Sequence, residues 1–358
     1  MMPMHQLGGP GGCGACQNPR RSIGRSKTGD GGQLGLFGEV AAPAARRDRD
    51  LAERLAREHA EAAAVAARLP KGVFFGTSTW SFPGWAGIVY SRRATTGELA
   101  REGLSEYARH PLLTTVGIDR GCYGPIPAQD LKRYGQQLPP GFPCCAKAPE
   151  AVTTAILPGS RGSNPDYLRP GRFVEEMVGP FLGVFREHTG PFVIQFPPAP
   201  RAATPDPALF AERLDAFLAA LPRDARYAVE LRDPSLLSPA YRAVLAARGV
   251  AHVYNYATAM PMPADQARAV PVSAAPFVLI RLLLRPGTLY GERREEFLPF
   301  DRIVDPNPEM RAQVADLTRE ALRLGRETYV LVNNKAEGCS PLTIRALAEE
   351  LAADPEPR

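Results

Sequence analysis

The sequence predicts a TIM-type (β/α)8 barrel behind an N-terminal extension that is first disordered and then partly helical. Three observations carry this expectation. Eight short apolar runs recur between residues 73 and 333, as expected of parallel strands covered on both faces. The gaps between the runs are long enough for a helix each, the spacing of repeated β–α units. Nearly every run also ends on a polar residue, and a barrel of this type builds its site at the carboxyl ends of its strands. An open doubly wound sheet uses the same elements and is the alternative architecture.

Taken in order, residues 1–46 are rich in Gly, Pro and Ser with few aromatics and are expected to be disordered. Arg47 to Leu69 is expected to be helical, because Leu51, Leu55, Ala62, Ala66 and Leu69 fall near one face and Pro70 stops the run. Residues 47–70 then form a helical linker, and 71–358 the barrel. The first four runs are Val73–Gly76, Thr114–Ile118, Pro143–Ala146 and Pro191–Ile194. The second four are Tyr227–Leu231, Ala251–Tyr254, Phe277–Ile280 and Tyr329–Val332. Between them, Met310, Val314, Leu317, Ala321 and Leu324 keep helical spacing, as do Ile344, Leu347 and Leu351. Pro207, Pro239, Pro308 and Pro341 stand where first helical turns begin. The Pro-rich connection from Asn255 to Phe277 holds only a short helix near Ala264–Ala269, and reads either as a lid over the site or as a surface excursion.

Composition narrows the function classes. The chain has 358 residues, 44% hydrophobic and 23% charged, which is ordinary for a globular protein. A formal charge of +5 fits a solvated Arg-rich surface better than a dedicated nucleic-acid face, and direct nucleic-acid binding stays open. Only Lys27, Lys71, Lys132, Lys147 and Lys335 among 43 basic residues are lysines, so a lysine at a strand end is informative. No apolar stretch approaches the ~20 residues of a membrane span, because Arg281 interrupts the longest candidate. No secretion signal is legible at the amino terminus, and a cytoplasmic location is expected. The six cysteines form no disulfide framework for a chain this large. Cys13 and Cys16 make a lone CxxC in the tail, read as incidental.

Gly76-Thr77-Ser78-Thr79-Trp80-Ser81-Phe82-Pro83-Gly84-Trp85 resembles the opening motif of the YecE-like family, also called domain of unknown function 72. Ala146-Lys147-Ala148 is similar to that family's Val-Lys-Ala step, and Gln195-Phe196-Pro197-Pro198 to its Gln-Phe-Pro-Pro turn. Val229-Glu230-Leu231-Arg232 resembles its Val-Glu-Phe-Arg strand, Arg281 its seventh-strand Arg, and Val332-Asn333-Asn334 its Phe-Asn-Asn end. The blocks occur in the family's order across residues 73 to 353. The resemblance implies a TIM-type barrel and no settled reaction. The chain also departs from the pattern. Val116-Gly117-Ile118-Asp119 stands for Val-Glu-x-Asn, and Cys122-Tyr123 for a Phe-Tyr pair. Asp233 stands where a His usually follows the strand-five Arg, and Leu282-Leu283 where His-Gly follows the strand-seven Arg. This marks a divergent branch.

The strand ends nominate the site. Lys147 and Glu230 are the catalytic candidates, since a Lys and a Glu in a partly dry cavity can trade protons. Lys147 is also suited to a Schiff base with a carbonyl. Arg232 and Arg281 suit bidentate grip on phosphate or carboxylate. Thr77, Ser78, Trp80, Asp119, Gln195, Asn255, Asn333 and Asn334 complete the substrate-binding candidates. The competing reading is a satisfied ion network without turnover. No metal or other cofactor is expected, because the five histidines show no ligand spacing and none follows a predicted strand.

In the tail, Gln33-Leu34-Gly35-Leu36-Phe37 resembles the peptide by which bacterial DNA-maintenance proteins bind the replication sliding clamp. An unstructured segment of this kind can place Leu36 and Phe37 in an apolar cleft while Gln33 hydrogen-bonds at its edge, and Leu34 joins them as a partner-binding candidate. Three functions follow from these signals: a metal-independent enzyme acting on a small anionic, phosphorylated or sugar-like molecule; a clamp-tethered nucleic-acid maintenance protein; and a non-catalytic ligand-binding module.

Overall fold

The computed structural model describes residues 41–157, 162–198, 206–288 and 290–353. Eight parallel strands close into a barrel in sequence order, β1 (Val73–Thr77), β2 (Thr115–Ile118), β3 (Cys144–Lys147), β4 (Thr189–Gln195), β5 (Tyr227–Glu230), β6 (Ala251–Tyr256), β7 (Phe277–Leu282) and β8 (Glu327–Val332). Closure is made by β1 and β8, with Val73 opposite Thr328 and Thr77 opposite Val332.

Strand geometry alternates side chains between the two faces, and the packing separates accordingly. Cys145, Val193, Ala228, Val253, Leu279 and Leu331 cluster inside the barrel with Phe277 and Tyr329. The intervening residues, such as Val229, Tyr254, Ile280 and Val330, pack outward against the helices. At the amino end Tyr329 stacks on Phe74, and Arg226 hydrogen-bonds both Glu327 and Tyr329, which closes the floor. Two inward positions on adjacent strands are glycine because nothing larger fits. A Cβ on Gly76 would lie 2.1 Å from the Thr115 carbonyl oxygen, and one on Gly117 2.8 Å from that of Ser78.

The helices start where the prolines indicate. Asp206, Ser238 and Asn307 cap the helices Pro207–Ala219, Pro239–Arg248 and Pro308–Arg323 with their side-chain oxygens. The first helix runs over Ala41–Ala66, so it starts earlier than Arg47, in an alanine-rich stretch of high helix propensity. It packs on the barrel: Ala62 and Val65 are buried, and Arg345 of the last helix, Ser340–Ala353, reaches Glu58 at 2.7 Å and Glu61 at 2.6 Å. The connection after β6 is tied down rather than poised as a lid. Its helix, Pro263–Ala269, buries Gln266, whose amide nitrogen donates to the carbonyls of Asn255 at 2.6 Å and Pro261 at 2.7 Å. Among the described residues no helix is long and apolar enough to cross a membrane.

Candidate functional site at the barrel mouth

Counting by twos from the interior cluster carries each strand to a polar residue at the carboxyl end: Ser78, Asp119, Lys147, Gln195, Glu230, Asn255, Arg281 and Asn333. The strongest contacts among them are ionic. Glu230 Oε1 accepts from Arg232 Nε at 2.5 Å, and Glu230 Oε2 accepts from Arg281 Nη1 at 2.6 Å. The other terminal nitrogen of Arg281 donates to Asp119 Oδ2 at 3.1 Å and Oδ1 at 3.3 Å. One network thus runs from β5 through β7 to the turn after β2, across the barrel.

Its middle is dry and its ends are wet. The Glu230 and Arg281 side chains are 0% and 2% exposed, whereas Asp119 and Arg232 are 25% and 23% exposed. Lys147, at the end of β3, is also buried. Burial alone pushes the Glu230 carboxyl up; Arg232, Arg281 and then Lys147 outweigh it and hold it down at about 2. Glu230 is therefore an anion with both oxygens engaged. Asn255 is held just as firmly. Its N–H donates to Gln266 Oε1 at 3.1 Å, and its Nδ2 to the Leu231 carbonyl at 2.8 Å. Gln266 escaped the sequence reading because a lone Gln in a short helix carries no signal of what it will hold.

A family model described as "Protein of unknown function DUF72" matches residues 74–358. The chain belongs to the DUF72 family. Among solved structures, a DUF72 protein from Enterococcus faecalis V583 is similar at 14% identity, with 80% of this chain and 97% of that one covered and a TM-score of 0.56. A DUF72 protein from Thermotoga maritima MSB8 is similar at 19% identity, with coverages of 78% and 98% and a TM-score of 0.55. At these identities the likeness shows the fold. No curated protein matches the chain by sequence.

The DUF72 motif residues divide by strand parity. Ser78, Lys147, Gln195, Glu230, Arg281 and Asn333 stand on inward positions, with Arg232 continuing the inward series of β5. Thr77 faces the other way: its hydroxyl donates to the Thr79 carbonyl at 2.8 Å, and its N–H to Tyr107 Oη at 2.9 Å. Trp80 is buried against Tyr134 and donates from Nε1 to the Leu99 carbonyl at 3.0 Å. Asn334 Oδ1 accepts from Trp85 Nε1 at 3.2 Å and from Ser340 N–H at 2.8 Å, which fastens the opening motif to the last helix. Thr77, Trp80 and Asn334 are thus spent on the wall, and Asn333 Oδ1 caps its own turn at Lys335 N–H, 3.1 Å away.

The departures from the DUF72 pattern also have visible consequences. Asp233 caps a short turn through Ser235, and Leu282 is buried, so neither position brings an imidazole to the mouth. His188 and His252 are buried beside Phe142 and Tyr241 instead. Among the described residues no three His, Cys, Asp or Glu side chains converge as a metal site would require. The tail candidates Gln33, Leu34, Leu36 and Phe37 lie outside the described residues.

Proposed function

We propose that the barrel mouth binds a small anionic molecule and that Lys147 carries the chemistry performed on it. The observation behind this reading is the gathering of cations at the mouth. Arg232 and Arg281 grip Glu230 from two sides, Arg281 also reaches Asp119, and the Lys147 charge acts on the same carboxylate in a largely buried network. An anion entering from the partly exposed Arg232 side meets guanidinium groups that Glu230 already holds in place. Lys147 then acts either as an acid–base group or as the amine of a Schiff base. Glu230 takes a positioning role: a carboxyl held near 2 is a weak base at neutral pH, but it fixes two guanidinium groups.

The test is a calorimetric titration of the full chain with inorganic phosphate, alkyl phosphates and sugar phosphates at low ionic strength. Saturable binding weakened about tenfold or more by Arg232→Ala supports the reading. Absence of binding for every member of the panel removes it. Catalysis is tested separately. Once a substrate is in hand, Lys147→Ala abolishes turnover while leaving the thermal transition in place, and retained turnover sinks that role. A protein that binds but shows no lysine-dependent turnover is the ligand-binding module instead.

The tail motif favours a second, compatible reading, in which Gln33–Phe37 tethers the barrel to a bacterial sliding clamp and the ligand is a sugar–phosphate from nucleic acid. A cytoplasmic setting belongs to both readings.

A further inference from the structure

Among the described residues, two buried oxygens of the mouth have no hydrogen-bond partner, Ser78 Oγ and Asn255 Oδ1. Ser78 is 2% exposed and Asn255 0% exposed. Both occupy inward positions, two residues beyond Gly76 and two beyond the interior Val253. β1 and β6 are three strands apart around the ring by the shorter way, so the two residues approach from well-separated walls.

Neither atom is a by-product of a loose side chain. Asn255 gives its amide nitrogen to the Leu231 carbonyl, and a flipped amide would set oxygen against oxygen there, so Oδ1 is necessarily the end left over. Its backbone is clamped by Gln266 at both the N–H and the carbonyl. Ser78 is pinned by its N–H to the Val332 carbonyl at 3.1 Å, and Gly117 leaves no slack behind it. Thr343 Oγ1, another buried orphan, sits in the last helix. A buried acceptor without a donor costs free energy comparable to a lost hydrogen bond, and the fold carries two such groups beside its charged network.

The chemistry of these atoms limits what fits. A carboxamide oxygen takes only a donor, and a serine hydroxyl takes either a donor or an acceptor. A cationic donor is disfavoured beside Arg232 and Arg281. An ionised phosphate or carboxylate oxygen can accept from Ser78 but offers Asn255 no donor, whereas neutral ligand hydroxyls satisfy both groups.

We infer that the ligand is a polyhydroxylated anion of the sugar-phosphate class, with hydroxyls on Ser78 and Asn255 and its anionic group on the Arg232 side. This rests on the anion reading above and specifies the rest of the molecule. Isothermal titration of the full chain with ribose 5-phosphate and with propyl phosphate tests it, because the two share a charge and differ in hydroxyls. Ribose 5-phosphate is expected to bind at least about tenfold tighter. Ser78→Ala, which removes no bond the fold makes, is expected to shrink that ratio severalfold. Equal affinities overturn the inference while leaving the anion reading intact. A ratio unchanged by Ser78→Ala also overturns it, since the hydroxyls are then recognised elsewhere. If neither compound binds, the anion reading itself falls, and this inference with it.

Discussion

Replacing Glu230 by Gln isolates the group that holds the mouth together. The carboxyl is held at about 2 against an ordinary value of 4.5. At about 1.4 kcal/mol per pH unit, that difference corresponds to roughly 3 kcal/mol favouring the folded state at neutral pH. The neutral amide takes from buried Arg281 the carboxylate it holds at 2.6 Å, which is the same interaction seen from its partner. Because the folded value is depressed, this stability is present above the unfolded value and is lost as pH falls through the folded one. The gap between wild type and Glu230→Gln should therefore be fullest at pH 7 and shrink between about pH 4.5 and pH 2. Urea unfolding of both proteins across that range is the assay, and the difference cancels the titration of other carboxylates. A gap below about 1 kcal/mol at pH 7, or one independent of pH, would refute the assignment of Glu230 as the anion between two guanidinium groups.

Three further predictions concern the wall, the first helix and the tail. Gly76→Ala drives a Cβ into the Thr115 carbonyl oxygen and should cost roughly 3 kcal/mol or prevent folding; a loss under about 1 kcal/mol, read from the same unfolding curves, contradicts the close approach of β1 and β2. Arg345→Ala removes the ion pairs to Glu58 and Glu61, and limited proteolysis within Ala41–Ala66 should speed up about fivefold. Unchanged cleavage means that Ala62 and Val65 alone secure the helix. A labelled peptide spanning Gly31–Glu39 should bind a bacterial sliding clamp with micromolar affinity by fluorescence polarisation, and lose binding with Gln33→Ala or Phe37→Ala. A flat titration removes the tether.

The barrel was legible because a parallel strand covered on both faces leaves an unbroken apolar run, and all eight runs coincide with strands. Their ends were less legible: β4 begins at Thr189 and β8 at Glu327, where backbone pairing extends past the apolar residues. Polar strand ends located the mouth, but the sequence reading treated neighbours alike. Parity separates Ser78 from Thr77 and Asn333 from Asn334, and it becomes usable only once the interior face is known. The role of Glu230 was out of reach for a different reason. Arg281 and Asp119 come from β7 and the turn after β2, so the carboxyl's partners are set by barrel closure rather than by its own segment. The docking of the first helix likewise depends on Arg345, far away in sequence.

The central claim is that an anionic ligand meets Lys147 inside the mouth, and the scarcity of lysine permits a direct test. With only Lys27, Lys71, Lys132, Lys147 and Lys335 present, a protein carrying 13C-labelled lysine gives few enough Cε signals to assign by single Lys→Arg variants. Titration with ribose 5-phosphate should move the Lys147 signal saturably, and Arg232→Ala should shift that titration to higher ligand concentration. A Lys147 signal that stays still while the ligand saturates the protein would contradict the account.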